Sequence, residues 1–322
     1  LKICLIGHFG DTLDEGSRIV GKSLAGELRK MSHSVQMSDM SSLKTVRDIF
    51  LSKPDVLHFV LTPTWQGVIV SKIMSLFSPG SKLIISAMHP AVPQWRFLRL
   101  FRPDVVLVQS DDSKRLFESI GFRTVSLSNG VDISRFCPAD APVKKELRAK
   151  YGIADDQFVI LHLASLTEQR NLGVFRGLQK KDGNLCLILG RENENYNEEV
   201  VRGLKESGCQ VWIKHFDNVE DIYRLSDCYL FPTVDKKACI ETPLSVLEAM
   251  ACNLPVISTR FGSLPQIFGT GAGMYYIDAD EDCYKIIENL KTNGTGIGTR
   301  DMVRDYSWGR IGNALVKIYE SL

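Results

Sequence analysis

Short apolar runs alternate along this chain with longer stretches in which apolar residues return every three or four positions, the pattern of parallel strands joined by crossover helices. Two such series are legible. The first predicts strands at residues 2–6, 55–60, 82–87, 104–109 and 125–127, with a helix at 15–31 whose Val20, Leu24, Leu28 and Met31 share one face. The second predicts strands at 158–163, 185–189, 211–214, 228–231 and 256–258. Each series makes an α/β, doubly wound sheet with helices on both faces.

Ser128-Asn129-Gly130-Val131-Asp132 marks a turn between the series, and the stretch from Phe136-Cys137-Pro138 to Pro142 reads as a linker before a Lys/Glu-rich helix. The division is therefore a first domain over 1–135, a second over 136–305, and a closing helix over 306–322. A chain of 322 residues suits two domains of ordinary size. With 44% apolar and 24% charged residues it is expected to be globular, and it contains no apolar run long enough to span a membrane. Residues 1–7 read as a buried strand entering a glycine loop, not as a secretion signal. The eight cysteines include no Cys-x-x-Cys pair and the six histidines show no ligand-like spacing, so reduced thiols and a cytoplasmic location are expected, without disulfides or zinc. Net charge is +1; residues 1–133 carry 16 basic and 12 acidic groups, the remainder 23 and 26, an imbalance too small to suggest nucleic acid.

The densest chemistry lies at Glu241-Thr242-Pro243-Leu244-Ser245-Val246-Leu247-Glu248 and the residues that follow. Pro243 suits a first helical turn, residues 244–252 are strong helix formers, and Asn253 with Pro255 ends the helix before the strand at 256–258. The amides of Leu244, Ser245 and Val246 at such a helix start are suited to hold a diphosphate.

This segment resembles the signature of family 4 of the retaining glycosyltransferases, the match being closest from Pro243 to Thr259. Asn129-Gly130-Val131-Asp132 with Arg135 and Phe136, and Ser307-Trp308 before the last helix, are similar to that family's interdomain and C-terminal segments. The resemblance implies the GT-B arrangement: two Rossmann-like domains facing each other across a cleft, the last helix crossing back to the first domain. It implies transfer of a hexosyl group from a nucleoside diphosphate sugar to an acceptor hydroxyl of a glycan or lipid-linked glycan, with retention of configuration and without a metal or cofactor. Glu248 would bind the donor ribose. The family places seven residues between its two glutamates and this chain six, so the first position, beside the transferred sugar, falls to Glu241 or to Ile240. The family's paired cations on the diphosphate correspond to Ser165 and Arg170, so one is missing here; Arg191, after the strand at 185–189, is a candidate substitute. His89, at the end of the strand at 82–87, corresponds to a His close to the donor sugar. His215 and Phe216 fall where the base is held. Gly10, Asp14, Glu15 and Gly16 fall on the loop that opens the first helix, near diphosphate and acceptor.

Other features are weighed as structure. Asp278-Ala279-Asp280 formally matches a metal-binding pair but precedes a helix and reads as an N-cap. Asn293-Gly294-Thr295 is a formal glycosylation site. Trp95 to Arg102 interleaves large apolar residues with Arg96, Arg99 and Arg102, which on a helix gives a basic stripe beside an apolar one; a core helix and a helix resting on the inner face of a membrane both fit. A non-catalytic binding protein and a nucleotide-sugar epimerase of the same fold remain alternatives. A nicotinamide dehydrogenase fits least, because no Gly-x-Gly-x-x-Gly follows either first strand.

Overall fold

The apolar runs fold into two six-stranded, wholly parallel sheets in a computed structural model that describes residues 1–9, 15–89, 96–192, 196–294 and 296–322. One compact unit comprises residues 1–130, 239–243 and 306–322; the other comprises 131–238 and 244–305.

The first unit contains β1 (Lys2–Gly7), β2 (Ser34–Asp39), β3 (Val56–Leu61), β4 (Lys82–Ala87), β5 (Val105–Val108) and β6 (Thr124–Ser126), in the order β2-β1-β3-β4-β5-β6. The second contains β7 (Phe158–Leu163), β8 (Asn184–Gly190), β9 (Gln210–Ile213), β10 (Cys228–Phe231), β11 (Val256–Thr259) and β12 (Met274–Ile277), in the order β12-β11-β10-β7-β8-β9. Strand order reverses between β1 and β3 in one sheet and between β7 and β10 in the other, and ligands of such sheets collect beyond the carboxyl ends at the reversal. Two strands, β2 and β12, are additions to those read from the sequence. Both are edge strands, paired on one side only. β2, Ser-Val-Gln-Met-Ser-Asp, is mostly half-buried and so presents no apolar run.

Within the first unit the helices Glu15–Lys30 and Trp308–Glu320 pack together, and Gly312 permits the approach: a Cβ there would lie 3.1 Å from both Glu27 Cβ and Met31 Cε. Tyr319 on the latter helix reaches the buried His58 on β3 (2.6 Å to Nδ1), whose Nε2 lies 2.7 Å from Ser86 Oγ on β4. Burial pushes the His58 imidazole down to about 3, so it serves as a neutral hydrogen-bond link.

Three sequence expectations change in detail. The amphipathic α-helix expected at 95–102 is a 3₁₀ helix over Arg96–Phe101, and Trp95 lies outside the described residues. The cap before Asp280–Asn293 is supplied by Asp282, which accepts from the Asp278 and Ala279 amides, and not by Asp278 or Asp280. Gly10, Asp14, the Glu15 side chain and Thr295 of the glycosylation triplet also lie outside the described residues. Among the described residues no helix is long and apolar enough to cross a membrane.

Candidate functional site

In the second unit the chemistry gathers at the β7/β10 reversal. The helix Leu244–Ala251 begins there and ends at Asn253, whose left-handed backbone (φ 58°) lets Leu254 and Asn253 donate back to Ala249 and Met250. Ser245 and Glu248 are three positions apart and share one helical face. A tyrosine holds each. The Tyr229 hydroxyl, from β10, lies 2.7 Å from Ser245 Oγ and 3.2 Å from the Leu163 carbonyl at the end of β7. The Tyr223 hydroxyl donates to Glu248 Oε2 at 2.7 Å, and the two tyrosine rings pack with centroids 6.0 Å apart. Burial pushes the Glu248 carboxyl up to about 7, opposed by the Tyr223 bond and by Arg191 and Arg135. Arg135 is itself fixed by Glu220 at 2.8 Å and by the Asp217 carbonyl.

Arg170 sits in a short 3₁₀ turn after β7 and is only 8% exposed. Its Nε donates to Ser165 Oγ at 3.2 Å, and its charge is felt by Tyr229 and His162, so it stands beside the residues that hold the helix start. Among the described residues no carboxylate forms an ion pair with it. Ser165 thus holds the Arg170 guanidinium in place. Leu244 and Ser245 are half-buried and Val246 is buried. Arg191 follows β8 and is close enough to lower the Glu248 carboxyl. His215 and Phe216 follow β9, the edge strand: His215 is exposed beside Asp217 (3.4 Å), and Phe216 packs on Trp212 with Lys214 over both rings. No described hydrogen bond or ion pair joins them to Arg170, Ser245 or Glu248.

In the first unit a second cluster forms where β4, β5 and β6 end. Residues 239–243 lie across these ends: Glu241 N donates to the Met88 carbonyl (3.0 Å), Thr242 N to Gln109 Oε1 (2.8 Å), and Asn129 Nδ2 to the Thr242 carbonyl (2.8 Å), while Gln109 Nε2 donates to Asn129 Oδ1. Glu241 is 3% exposed, and its Oε1 accepts from the hydroxyl of Ser110, the N-cap of Asp111–Ser119. Burial raises its carboxyl; Ser110, Ser113 and the nearby His89 oppose the rise. Glu241 and His89 are therefore brought together, with Ile240 buried alongside in sequence. Gly16 is half-buried near the start of the first helix and joins no described contact with them.

Sequence reasoning gave no role to Tyr223, Tyr229 or Ser110, and it read Arg135 only as part of the interdomain segment and Gln109 only as the end of a strand. The usable signal was aromatic: two tyrosines near a strand of an α/β sheet need hydroxyl partners when buried. Among the described residues no group of three or more His, Cys, Asp or Glu is arranged to hold a metal.

Two parallel sheets in these orders, each with polar groups at the carboxyl ends, define the GT-B fold. Solved glycosyltransferase structures share it. Anabaena HepE in complex with UDP-glucose matches with a TM-score of 0.79 and 14% identity over 99% of this chain and 100% of that one. The profile of the family "Glycosyl transferases group 1" matches residues 143–305, and the chain belongs to that family. Similar curated proteins include an uncharacterised glycosyltransferase of Methanocaldococcus jannaschii, 26% identical over 48% of this chain and 39% of that one. The N-acetyl-alpha-D-glucosaminyl L-malate synthase of Bacillus anthracis is 24% identical over 42% of this chain and 36% of that one. The matched stretches span less than half the length of these two relatives.

Proposed function

We propose that this chain transfers a hexosyl group from a nucleoside diphosphate sugar to an acceptor hydroxyl of a glycan or lipid-linked glycan, with retention of configuration. The observation that carries the reading is Arg170: a buried guanidinium, without a described carboxylate partner, beside the start of Leu244–Ala251. A cation held there is suited to a ligand that brings its own negative charge. Arg170 and the amides of Leu244, Ser245 and Val246 stabilise charge growing on the departing diphosphate, the kind of electrostatic contribution that usually dominates such reactions. Ser165 orients Arg170. Glu248, with one oxygen held by Tyr223, presents the other to the ribose hydroxyls. Arg191 favours the ionised form of that carboxylate against the effect of burial, and His215 and Phe216 are assigned to the base. The family resemblance assigns His89 and Glu241, which meet in the first unit, to the transferred sugar. The diphosphate itself assists the incoming hydroxyl, so no side chain serves as general base, and the positive charge supplied by the protein makes a metal or cofactor unnecessary in this scheme.

The test is thermal stabilisation by UDP, GDP, ADP, CMP and NAD, with and without magnesium. UDP comes first, because HepE, of the same fold, is seen with UDP-glucose. A ligand at about 100 times its dissociation constant adds roughly 2.7 kcal/mol. One responding diphosphate, indifferent to magnesium, supports the proposal; no response to any diphosphate refutes it.

A further inference from the structure

Between Asp55 and Asp104 the sequence contains no Asp or Glu, yet it holds Lys72, Lys82, Arg96, Arg99 and Arg102. This stretch includes the helix Trp65–Ser75 and the 3₁₀ helix Arg96–Phe101, which pack against each other in the first unit.

Trp65–Ser75 is apolar on two sides. Gly67, Val68, Ser71 and Met74 face the core, while Val70 and Ile73 are exposed, and Leu76 and Phe77, just past its end, continue that outer face. A helix apolar all round is ordinarily buried all round. In the 3₁₀ helix, residues three apart eclipse one another. Leu98 and Phe101 form the inward line, of which Leu98 is wholly buried, and Phe97 and Leu100 form an outward apolar line. Arg99 falls on the third line and is steadied by an Nε bond to the Ile120 carbonyl (2.9 Å); Arg102 is exposed just beyond. Leu100 is 79% exposed and Leu76 68%. Leu76 and Leu100 are thus mostly exposed and Val70, Ile73, Phe77 and Phe97 partly so, on two contacting elements that also carry Lys72, Arg99 and Arg102.

We propose that this face docks on an anionic lipid surface. Exposed aliphatic and phenyl groups enter the boundary between headgroups and chains, and the cations meet lipid phosphates. A second copy of the chain is the poorer occupant: a two-fold interface would set this cationic patch against an identical one, with no Asp or Glu between Asp55 and Asp104 to pair with its Lys72, Arg99 and Arg102. The proposal is independent of the donor reading, since vesicle binding needs no donor.

The test is co-sedimentation of the chain with vesicles of phosphatidylcholine alone and of phosphatidylcholine with about 30% phosphatidylglycerol, at low and high salt. Binding is expected on the mixed vesicles, weakening with salt. The double substitution Leu76→Ser/Leu100→Ser should reduce it by about tenfold or more, and Lys72→Glu/Arg102→Glu should do the same by the charge term. Both pairs lie on the surface, and circular dichroism melts check that each variant folds. Absence of binding to anionic vesicles, or binding unchanged in both variants, overturns the proposal. So does a concentration-dependent dimer of the parent, without vesicle binding, that Leu76→Ser/Leu100→Ser abolishes, because the face would then be a contact between copies.

Discussion

The tyrosine beside Glu248 offers the sharpest test of how the second unit recognises its ligand. Tyr223→Phe keeps the ring that packs on Phe136 and Tyr229 and deletes only the hydroxyl that donates to Glu248 Oε2 at 2.7 Å. A hydrogen bond to a charged group contributes about 1.5–3 kcal/mol, and one unit of pKa corresponds to about 1.4 kcal/mol. Losing the bond should therefore raise the Glu248 carboxyl from about 7 to roughly 8–9. If the ionised carboxylate binds the ribose, affinity of the parent rises with pH through about 7 and then levels. At pH 7 the parent is about half ionised and the variant roughly 1–10%, so the variant binds roughly 5- to 50-fold more weakly there and recovers at higher pH. Calorimetric titration of the responding nucleoside diphosphate at several pH values between about 5.5 and 9.5 reads this directly. Glu248→Gln supplies the control, a weaker affinity without this pH dependence. Because the folded carboxyl titrates above its unfolded value, the folded protein binds more protons than the unfolded between about 4.3 and 7, and stability falls as pH rises through that window. Glu248→Gln should consequently raise the thermal midpoint at pH 8. An affinity flat across the pH range in the parent, or a Tyr223→Phe profile that overlays it, refutes the carboxylate assignment.

Three further outcomes follow from the contacts described. Arg170→Ala should weaken binding of a nucleoside diphosphate by about 1.5–3 kcal/mol while leaving the affinity for the corresponding nucleoside unchanged, measured by competition; equal losses for both would place Arg170 away from the phosphates. Glu241→Gln can still accept from Ser110 and removes a buried charge, so the melt should hold or rise while turnover drops about tenfold or more; full turnover would pass the sugar-side role to the Ile240 position. Gly130→Ala sets a Cβ within 2.7 Å of the Trp308 ring and 3.0 Å of its Cα, and the resulting overpacking should cost about 1–3 kcal/mol in denaturant melts; an unchanged midpoint would show that the turn can shift away.

Much of this protein is local in origin and was legible from residue order. The interior strands of both sheets are apolar because helices cover both faces, so β1, β3, β4, β7, β8 and β10 announce themselves as runs. The helix Leu244–Ala251 is written in its formers and in Asn253, and the segment around it carries the family resemblance that the profile match bears out. The edge strand β2 was not legible, because a strand paired on one side can be polar throughout. Nor does residue order reveal neighbours across a sheet. Strand order is a non-local choice, and it alone puts Tyr229 of β10 between the end of β7 and Ser245. Tertiary packing likewise lays residues 239–243 on the ends of β4 and β5, so that Glu241 meets Ser110, more than a hundred residues earlier, and stands beside His89. Sequence thus determined which groups are available to the chemistry; tertiary packing decided which of them are buried together, and hence which carboxyls are pushed toward neutrality and which arginine is held ready for an anion.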